Sequence, residues 1–418
     1  MRALRVPGFG LLLAGQAINT TGTWISAIAI WGFAAFEFDV GAGELATLFV
    51  VLSVPGALLG PALGVPIDRF GPRVTLVVAN VLGMLNAVAL TQARSYTQIV
   101  LLALPLGLIE ALASASLDAI PPRIVPDGQL VRANALLGGA QDLAIIVGPV
   151  SAAIVNSHWG IQGAFAVDAA TWFVGALVAM RMHLPHDRRT GDEETSSWSE
   201  LRDGARLARH DPALRWTLGV SASVFALWAL FGVLEPLYVR DVLHAGDETF
   251  ALLQTVFGLG LVSTSLVLAA WGERIARPVV IGIAVVASGL TASLYLGTSS
   301  VAVAFVGVFL WGVDVAFFYV PARTLVQRYA PHEFHGRVLS LNRSLEPATA
   351  IVVTPVAALL LAFVSVRALG VAGGILATTG GLLMLRAARR LGAPPPLGDA
   401  GASPRASDAV GLGGAPPA

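Results

Sequence analysis

The sequence predicts an all-α membrane protein: twelve transmembrane helices in two pseudo-symmetric six-helix halves. Three observations carry that expectation. Hydrophobic residues make up 56% of the 418 and charged residues only 12%, at a mean hydropathy of +0.75. Apolar runs of about 20 residues, the length that crosses a bilayer's hydrocarbon core, recur along the whole chain. And a shift of 205 residues brings the polar loops of one half onto those of the other.

Hydropathy places spans near 8–36, 43–65, 74–93, 98–119, 133–155 and 161–183, then near 214–238, 248–271, 278–296, 301–326, 339–363 and 367–387. The first begins after Arg2 and Arg5, as a signal peptide does, but its apolar run continues to Phe36, well past a cleavable core, so it is read as an uncleaved helix. Within it Gln16, Asn19, Thr20 and Thr23 are spaced i, i+3, i+4, i+7 and share one face. Polar side chains at that depth belong against a wet cavity rather than lipid. Residues 184–211 interrupt the apolar pattern as a cytoplasmic linker with an amphipathic helix, separating the N-terminal half, 1–183, from the C-terminal half, 212–390. Residues 391–418 are rich in Gly, Ala and Pro without periodicity, the composition of a disordered cytoplasmic tail. The strands of an outer-membrane barrel would alternate over much shorter segments.

All 26 basic side chains are arginine, and 26 acids balance them. Zero net charge gives no electrostatic case for nucleic acid, and a chain without Cys has no disulfide, thiolate metal site or thiol nucleophile. If the N-terminus is inside, the outer loops hold only Arg94, Arg240 and Arg367, and the other 23 arginines lie on or near the inner side. That asymmetry puts both termini in the cytoplasm of a multi-pass cell-membrane protein. None of the seven His pairs with a carboxylate at metal-ligand spacing deep in a span, so no metal or other cofactor is expected. Without lysine there is no phosphate-binding loop of the Gly-rich Lys type, which argues against ATP-driven pumping.

Under the 205-residue shift Asp68-Arg69 falls on Glu273-Arg274, while Arg123, Pro126 and Arg132 fall on Arg328, Pro331 and Arg337. Gly107 falls on Gly312 and Gly41 on Gly246. One constant offset in the loops after spans 2 and 8, and after 4 and 10, indicates a duplicated unit in parallel orientation, an architecture associated with transporters. The loop "GVPIDRFGPR", 64–73, crowds an Asp, two Arg, two Gly and two Pro between apolar runs. Its Gly64, Asp68, Arg69, Gly71 and Arg73 resemble the signature loop of the major facilitator superfamily, with Pro72 where a basic residue is common; "GERIARP" is a degenerate second copy. "PPRIVPDGQLVRANALLGGAQDLAIIVGP", "VPARTLVQRYAPHEFHGRVLSLNR" and "SWSELRDGARLARHDPALRW" resemble the branch of siderophore and macrolide exporters. The resemblance implies the major facilitator fold and a cytoplasmic gate that closes when the carrier faces outward. In that gate Gly64 is expected to let helices 2 and 11 approach, Gly71 to make the sharp turn, and Asp68 to sit against a helix N-terminus. Pseudo-symmetry then sets Asp68 near Arg337 at the start of span 11, and Glu273 near Arg132 at the start of span 5.

Ionisable groups inside spans cost several kcal/mol and are functional suspects by default. Glu110, Asp142, Asp168, Asp314 and Glu346 qualify, with Asp118 nearer the cytoplasmic end of span 4. Asp142 lies in "GGAQDLAIIVGPVSAA", which resembles the antiporter motif of span 5; Gly148-Pro149 are kept, and Ala144, Ala152 and Ala153 replace glycines. It is the first proton-coupling candidate, with a structural hydrogen bond as its alternative, followed by Glu346, Asp314 and Glu110. Glu346 shares a helix face with Asn342 and Arg343, which suits a neutralised pair as well as a gate or substrate contact. Asp314 sits among Trp311, Phe317 and Phe318, either an aromatic wall for a large amphipathic cation or plain packing. Glu110, Ser114 and Asp118 form an inward stripe, and Asp168 is expected to make a structural hydrogen bond. Substrate-cavity candidates are thus Gln16, Asn19, Thr23, Trp311, Phe317, Phe318 and Arg343. The expected function is proton-coupled export of a hydrophobic or amphipathic small molecule (a drug, antibiotic or siderophore) by alternating access. Its partners would be that molecule, protons and the bilayer, and it would act as a monomer. The alternatives are a proton-symport importer of a small solute and a non-transporting sensor or scaffold; an intramembrane enzyme would need a catalytic constellation that is not present.

Overall fold

The computed structural model describes residue 6 and residues 8–182, 197–271, 277–329 and 335–391. These are helical almost throughout. Helix α1 (Phe9–Gly32) ends in a π-helical turn, Phe33–Glu37; α2 (Ala42–Leu59) runs through a 3-10 turn into α3 (Gly64–Phe70); α4 (Pro72–Leu90), α5 (Tyr96–Asp118), a short α6 (Pro121–Ile124) and the long α7 (Asp127–Arg181) complete the first half. Then come α8 (Ser197–His210), α9 (Pro212–Asp241), α10 (Asp247–Trp271), α11 (Pro278–Gly297), α12 (Val301–Tyr329), α13 (His335–Leu361) and α14 (Val366–Ala388).

Local chemistry explains the boundaries. Asp211 caps α9, its Oδ1 accepting from the Ala213 and Leu214 amides at 2.7 and 2.9 Å, and Pro212 fills the first helical position, where no amide is needed. Ser95 and Ser365 cap α5 and α14 in the same manner. Gly71 joins α3 to α4 at φ 82°, the conformation expected of the sharp turn in the loop 64–73. Spans 5 and 6 run as one helix, α7, interrupted only at Gly160 (φ 66°, ψ −175°).

Ten helical stretches are long and apolar enough to cross a membrane, among the described residues. The two remaining predicted spans are present as helix. α1 is diluted by Gln16, Asn19, Thr20, Thr21 and Thr23, and the two helices of α7, which meet at the kink of Gly160, share the single stretch Val147–Arg181.

The duplication seen in sequence is repeated in geometry. Adding 205 to Ala42, Tyr96 and Ile161 gives Asp247, Val301 and Val366, the first residues of α10, α12 and α14. Among the described residues, the two non-glycine positions with positive φ, Asp39 (49°) and His244 (52°), are such a pair. Around them the same hydrogen bonds recur: Val40 to Ala34 and Phe38 to Phe33 in one hairpin, Ala245 to Val239 and Leu243 to Tyr238 in the other. Gly107 presses α5 onto the Leu52 carbonyl, where a Cβ would lie 2.1 Å from the oxygen; Gly312 presses α12 onto the Phe257 carbonyl at 2.2 Å. All four residues are related by 205.

α1 and α4 pack on α7, and α5 on α2 and α4; α11 packs on α12 and α14, and α10 on α12. Between halves α2 meets α13 and α7 meets α10. The buried cores differ at the two ends. At the end carrying the hairpins 33–41 and 238–246, one cluster draws on both halves, joining Ile30, Phe33, Leu45 and Leu48 to Phe231, Leu234, Phe250 and Leu253. At the end where α8 enters, the clusters stay within one half. Phe9, Leu76, Leu117 and Met182 form one; Val220, Val285 and Phe318 form a second; and Leu207 and Ala208 of α8 pack with Leu214, Leu218 and Val338 in a third. Among the described residues, the halves share a buried core at the hairpin end, while at the linker end each core stays on its own side.

Candidate functional site

Helix α1 turns its polar stripe into the first half. Gln16, Asn19, Thr20 and Thr23 line a cavity of about 170 Å³ with Asn80 of α4, Glu110 and Ser114 of α5, and Gln141, Trp172 and Gly175 of α7. The i, i+3, i+4, i+7 reading of span 1 and the inward reading of Glu110 and Ser114 meet in one place. Gln16 donates to Thr20 Oγ1 at 2.9 Å, and Asn80 donates its Nδ2 to the Leu76 carbonyl at 2.7 Å. Asn19 Oδ1 and Asn80 Oδ1 are buried without a hydrogen-bond partner, and Glu110 makes no hydrogen bond or ion pair among the described residues. Asp168 lies close to Glu110, 1% exposed, accepting from Thr171 Oγ1 at 3.5 Å and facing Ser26 and Trp172.

The other carboxylates are dispersed. Asp314 Oδ2 accepts from Thr291 Oγ1 of α11 at 2.8 Å, an interhelical bond within the second half. Glu346 is exposed, one turn before Ala350 on the stripe that continues through Thr354 to Ala357. Ala357 belongs to the core shared by both halves, so this stripe follows the interface from its sealed part toward the open linker end. The side chains of Asp142, Arg132, Arg337 and Arg343 lie outside the described residues, as does Glu273 altogether.

Of the two readings of the span 10 aromatics, wall or packing, the contacts in this conformation are those of packing. Trp311 is 4% exposed and packs its ring on Phe231, Phe257 and Tyr295 at centroid distances of 4.5, 5.1 and 6.4 Å. Phe318 is buried in the second-half core, and Phe317 packs against the same cores. In this conformation Trp311 and Phe318 fill cores, and Phe317 is half-buried beside them.

The loop 64–73 is only partly as expected. Arg73 donates Nε to the Ala179 carbonyl at 3.2 Å and Nη2 to the Met180 carbonyl, tying α4 to the last turn of α7 in the same half. It binds last-turn carbonyls at a helix C-terminus, where a cation is favoured, and these contacts lie within one half. A Cβ on Gly64 would meet nothing within 4 Å among the described residues, so no close helix contact forms there in this conformation. Arg69 stacks over Phe70 at 5.2 Å, and Asp68 is exposed with no hydrogen bond or ion pair among the described residues.

Two functional features escaped the sequence reading. Glu235 of α9 is 5% exposed, held by Tyr295 Oη at 2.7 Å and Gln254 Nε2 at 2.9 Å, which pins α9 to α11 and α10. It sits six residues from the end of a long helix, so hydropathy placed it at a boundary; the adjoining Pro236 and the flanking apolar residues were the available signal. Arg240 bridges the halves at the sealed end. Its Nη1 donates to the carbonyls of Ala35 and Val40, both at 2.9 Å, and pairs with Asp39 at 2.9 Å, while Nε reaches Asp241 at 2.7 Å. Ala35 and Arg240 are themselves 205 apart, so this contact lies on the pseudo-two-fold axis.

Among protein families, the Major Facilitator Superfamily model matches residues 12–246 and 217–412. Macrolide efflux protein A of Streptococcus pyogenes is 24% identical over 348 residues, 81% of this chain and 85% of its own. The putative bacilysin exporter BacE of Bacillus amyloliquefaciens is 21% identical over 341 residues, 80% of this chain and 84% of its own. In fold, the nucleoside transporter NupG superposes at a TM-score of 0.68 and 12% identity, covering 92% of this chain and 99% of its own. A bacterial homologue of the human lysosomal transporter Spinster, in an inward-facing and unoccupied conformation, superposes at 0.62 and 12% identity, covering 92% and 96%.

Proposed function

The chain belongs to the Major Facilitator Superfamily, and from that premise we propose that this multi-pass membrane transporter exports a hydrophobic or amphipathic small molecule across the cell membrane in exchange for protons. The observation that carries the reading is the one-sided seal: a single core and Arg240 join the halves at the hairpin end, while the cores at the linker end stay apart. With both termini in the cytoplasm, as the arginine distribution indicates, this conformation faces inward. In that state the exposed Asp68 is a latch group waiting for its partner, and rocking to the outward state would exchange the sealed end. Export rather than import is supported by the efflux proteins among its relatives. Proton exchange falls to the carboxylates of the spans, Asp142 first, then Glu346, Asp314 and Glu110, and one polypeptide with both halves forms the transport unit.

The test is transport by the purified chain in proteoliposomes loaded at acid pH and given an erythromycin-class macrolide or a hydrophobic dye outside. Molecules inserted with the cytoplasmic face outward are expected to accumulate the compound inside, and a protonophore to abolish the accumulation. Accumulation insensitive to the protonophore would remove the proton from the reading. Gradient-driven uptake of a polar nutrient in cells, with no effect on drug accumulation, would replace export by import.

A further inference from the structure

The duplication supplies an internal control for the cavity of the first half. Adding 205 to Asn19, Asn80 and Glu110 gives Val224, Val285 and Val315, which are 8, 4 and 2% exposed and belong to the apolar cores of the second half. The fold is therefore satisfied by valine at all three places. Two carboxamides and a carboxylate in one half, lining an opening that its counterpart fills with methyl groups, are no requirement of helix packing. Burying such groups without partners costs stability, and a site is the usual return for that cost.

The polarity of the cavity is specific. Asn80 spends its amide nitrogen on the Leu76 carbonyl, which leaves Oδ1 as its free atom. That oxygen nests on Gly175, where a Cβ would lie 2.1 Å away and displace it. Asn19 Oδ1 is likewise buried and unpaired, and Glu110 adds a carboxylate with Asp168 close by. No basic side chain lines the cavity among the described residues. What converges is three acceptors, the Asn19 and Asn80 oxygens and the Glu110 carboxylate, beside Trp172, whose Nε1–H is also buried without a partner among the described residues, and the hydroxyl and amide groups of Ser114 and Gln141. A primary or secondary ammonium answers the three acceptors and the ring: it brings the charge for Glu110, N–H donors for the two asparagine oxygens, and a cation for the indole. The volume, about 170 Å³, exceeds the roughly 150 Å³ that admits a benzene. It falls short of the roughly 300–1,000 Å³ of pockets that enclose a whole drug-sized ligand. It suits a head group, with the rest of the molecule outside.

We propose that the cavity bounded by α1, α4, α5 and α7 is a binding site for the protonated amine of the transported compound, with Glu110, Asn19 and Asn80 as its contacts. The site gives the proposed substrate its chemical class, an amine-bearing amphiphile; its purpose rests on the carrier reading, whereas its geometry does not. The full chain in lipid nanodiscs is dialysed to equilibrium against labelled benzylammonium, with benzyl alcohol and benzyltrimethylammonium as neutral and donor-free twins and empty discs as background. Saturable benzylammonium binding at least tenfold tighter than that of either twin is expected. Glu110→Gln, and Asn80→Val (the residue of the second half), are each expected to weaken it tenfold or more. No saturable binding above empty discs, equal binding of the three probes, or folded variants that bind as the parent does would each overturn the assignment. Should Glu110→Gln fail to fold, the three-probe comparison on the parent chain and Asn80→Val still decide. Binding needs no gradient, so a chain that binds as described but exports nothing refutes the carrier reading alone. A chain that exports macrolide but binds amines regardless of Glu110 and Asn80 refutes this site alone.

Discussion

Arg240→Gln is expected to unlock the hairpin end. In the sealed state Arg240 donates to two carbonyls of the opposite half, Ala35 and Val40, each at 2.9 Å. Hydrogen bonds to a charged group are worth about 1.5–3 kcal/mol each. The arginine side chain is 23% exposed, so the lower figure applies and the pair contributes about 3 kcal/mol. Asp39, whose side chain is 84% exposed, adds about 0–1 kcal/mol at most. Asp241 belongs to the same half as Arg240 and does not resist separation. Every 1.4 kcal/mol is a factor of ten, so losing the contact moves the ratio of the two end-sealed states by about a hundredfold. The chain has no Cys, which makes a single reporter clean. Ala35→Cys, fully buried beside the lock, is labelled with a membrane-impermeant maleimide from the hairpin side. The labelling rate is expected to rise by tens of fold in the Arg240→Gln background and by less than fivefold with Asp39→Asn. Equal rates in the three backgrounds would show that the shared core alone seals this end.

Gly107→Ala and Gly312→Ala each force a Cβ to about 2 Å from a backbone carbonyl of α2 or α10, which α5 and α12 relieve only by moving apart. Each is expected to lower the thermal midpoint by an amount equivalent to about 1–3 kcal/mol or more, seen by fluorescence-detected size exclusion. Trp311→Ala removes a fully packed ring and is expected to destabilise by about 3–5 kcal/mol; altered compound preference at unchanged stability would restore the aromatic wall to the substrate. Tyr295→Phe leaves buried Glu235 with Gln254 as its single described partner and is expected to cost about 1–3 kcal/mol of stability, read by thermal unfolding of the purified chain.

The fold was legible because its determinants are periodic and repeated. Apolar runs of bilayer length show without tertiary context, and the 205-residue offset reappears as Gly107 on Leu52 and Gly312 on Phe257. The cavity was half legible. Helix spacing put Gln16, Asn19, Thr20 and Thr23 on one face, but Asn80 and Trp172 reach the same opening from elements with no local sign of it. Asparagine amid apolar residues in α4 reads as a packing residue until the neighbour across from it is known. Trp311 and Phe318 stayed between two readings for the converse reason, since spacing identifies a shared face and not what that face meets. Arg240 was counted only as an outer-loop charge because its partners are backbone carbonyls, which leave no trace in side-chain patterns. Glu235 was hidden by hydropathy, which scores a span's average and places its ends loosely.

The same asymmetry bears on how the linker end closes. The hairpin end is held by an apolar core drawn from both halves as well as by Arg240. Apolar burial is worth roughly 25 cal/mol per Å², so 100 Å² of new contact outweighs a single exposed acid at a helix N-terminus, worth about 0.3–1 kcal/mol. Latch groups such as Asp68 are thus too weak to reverse the seal unaided. Closure at the linker end must bury water-facing apolar surface of its own, and Phe70, 56% exposed in the loop beyond span 2 and two residues from Asp68, offers some. On this account the charged loop sets which surfaces meet, while the apolar residues beside it supply most of the energy that holds them. The two ends can then be balanced within the few kcal/mol that alternation requires.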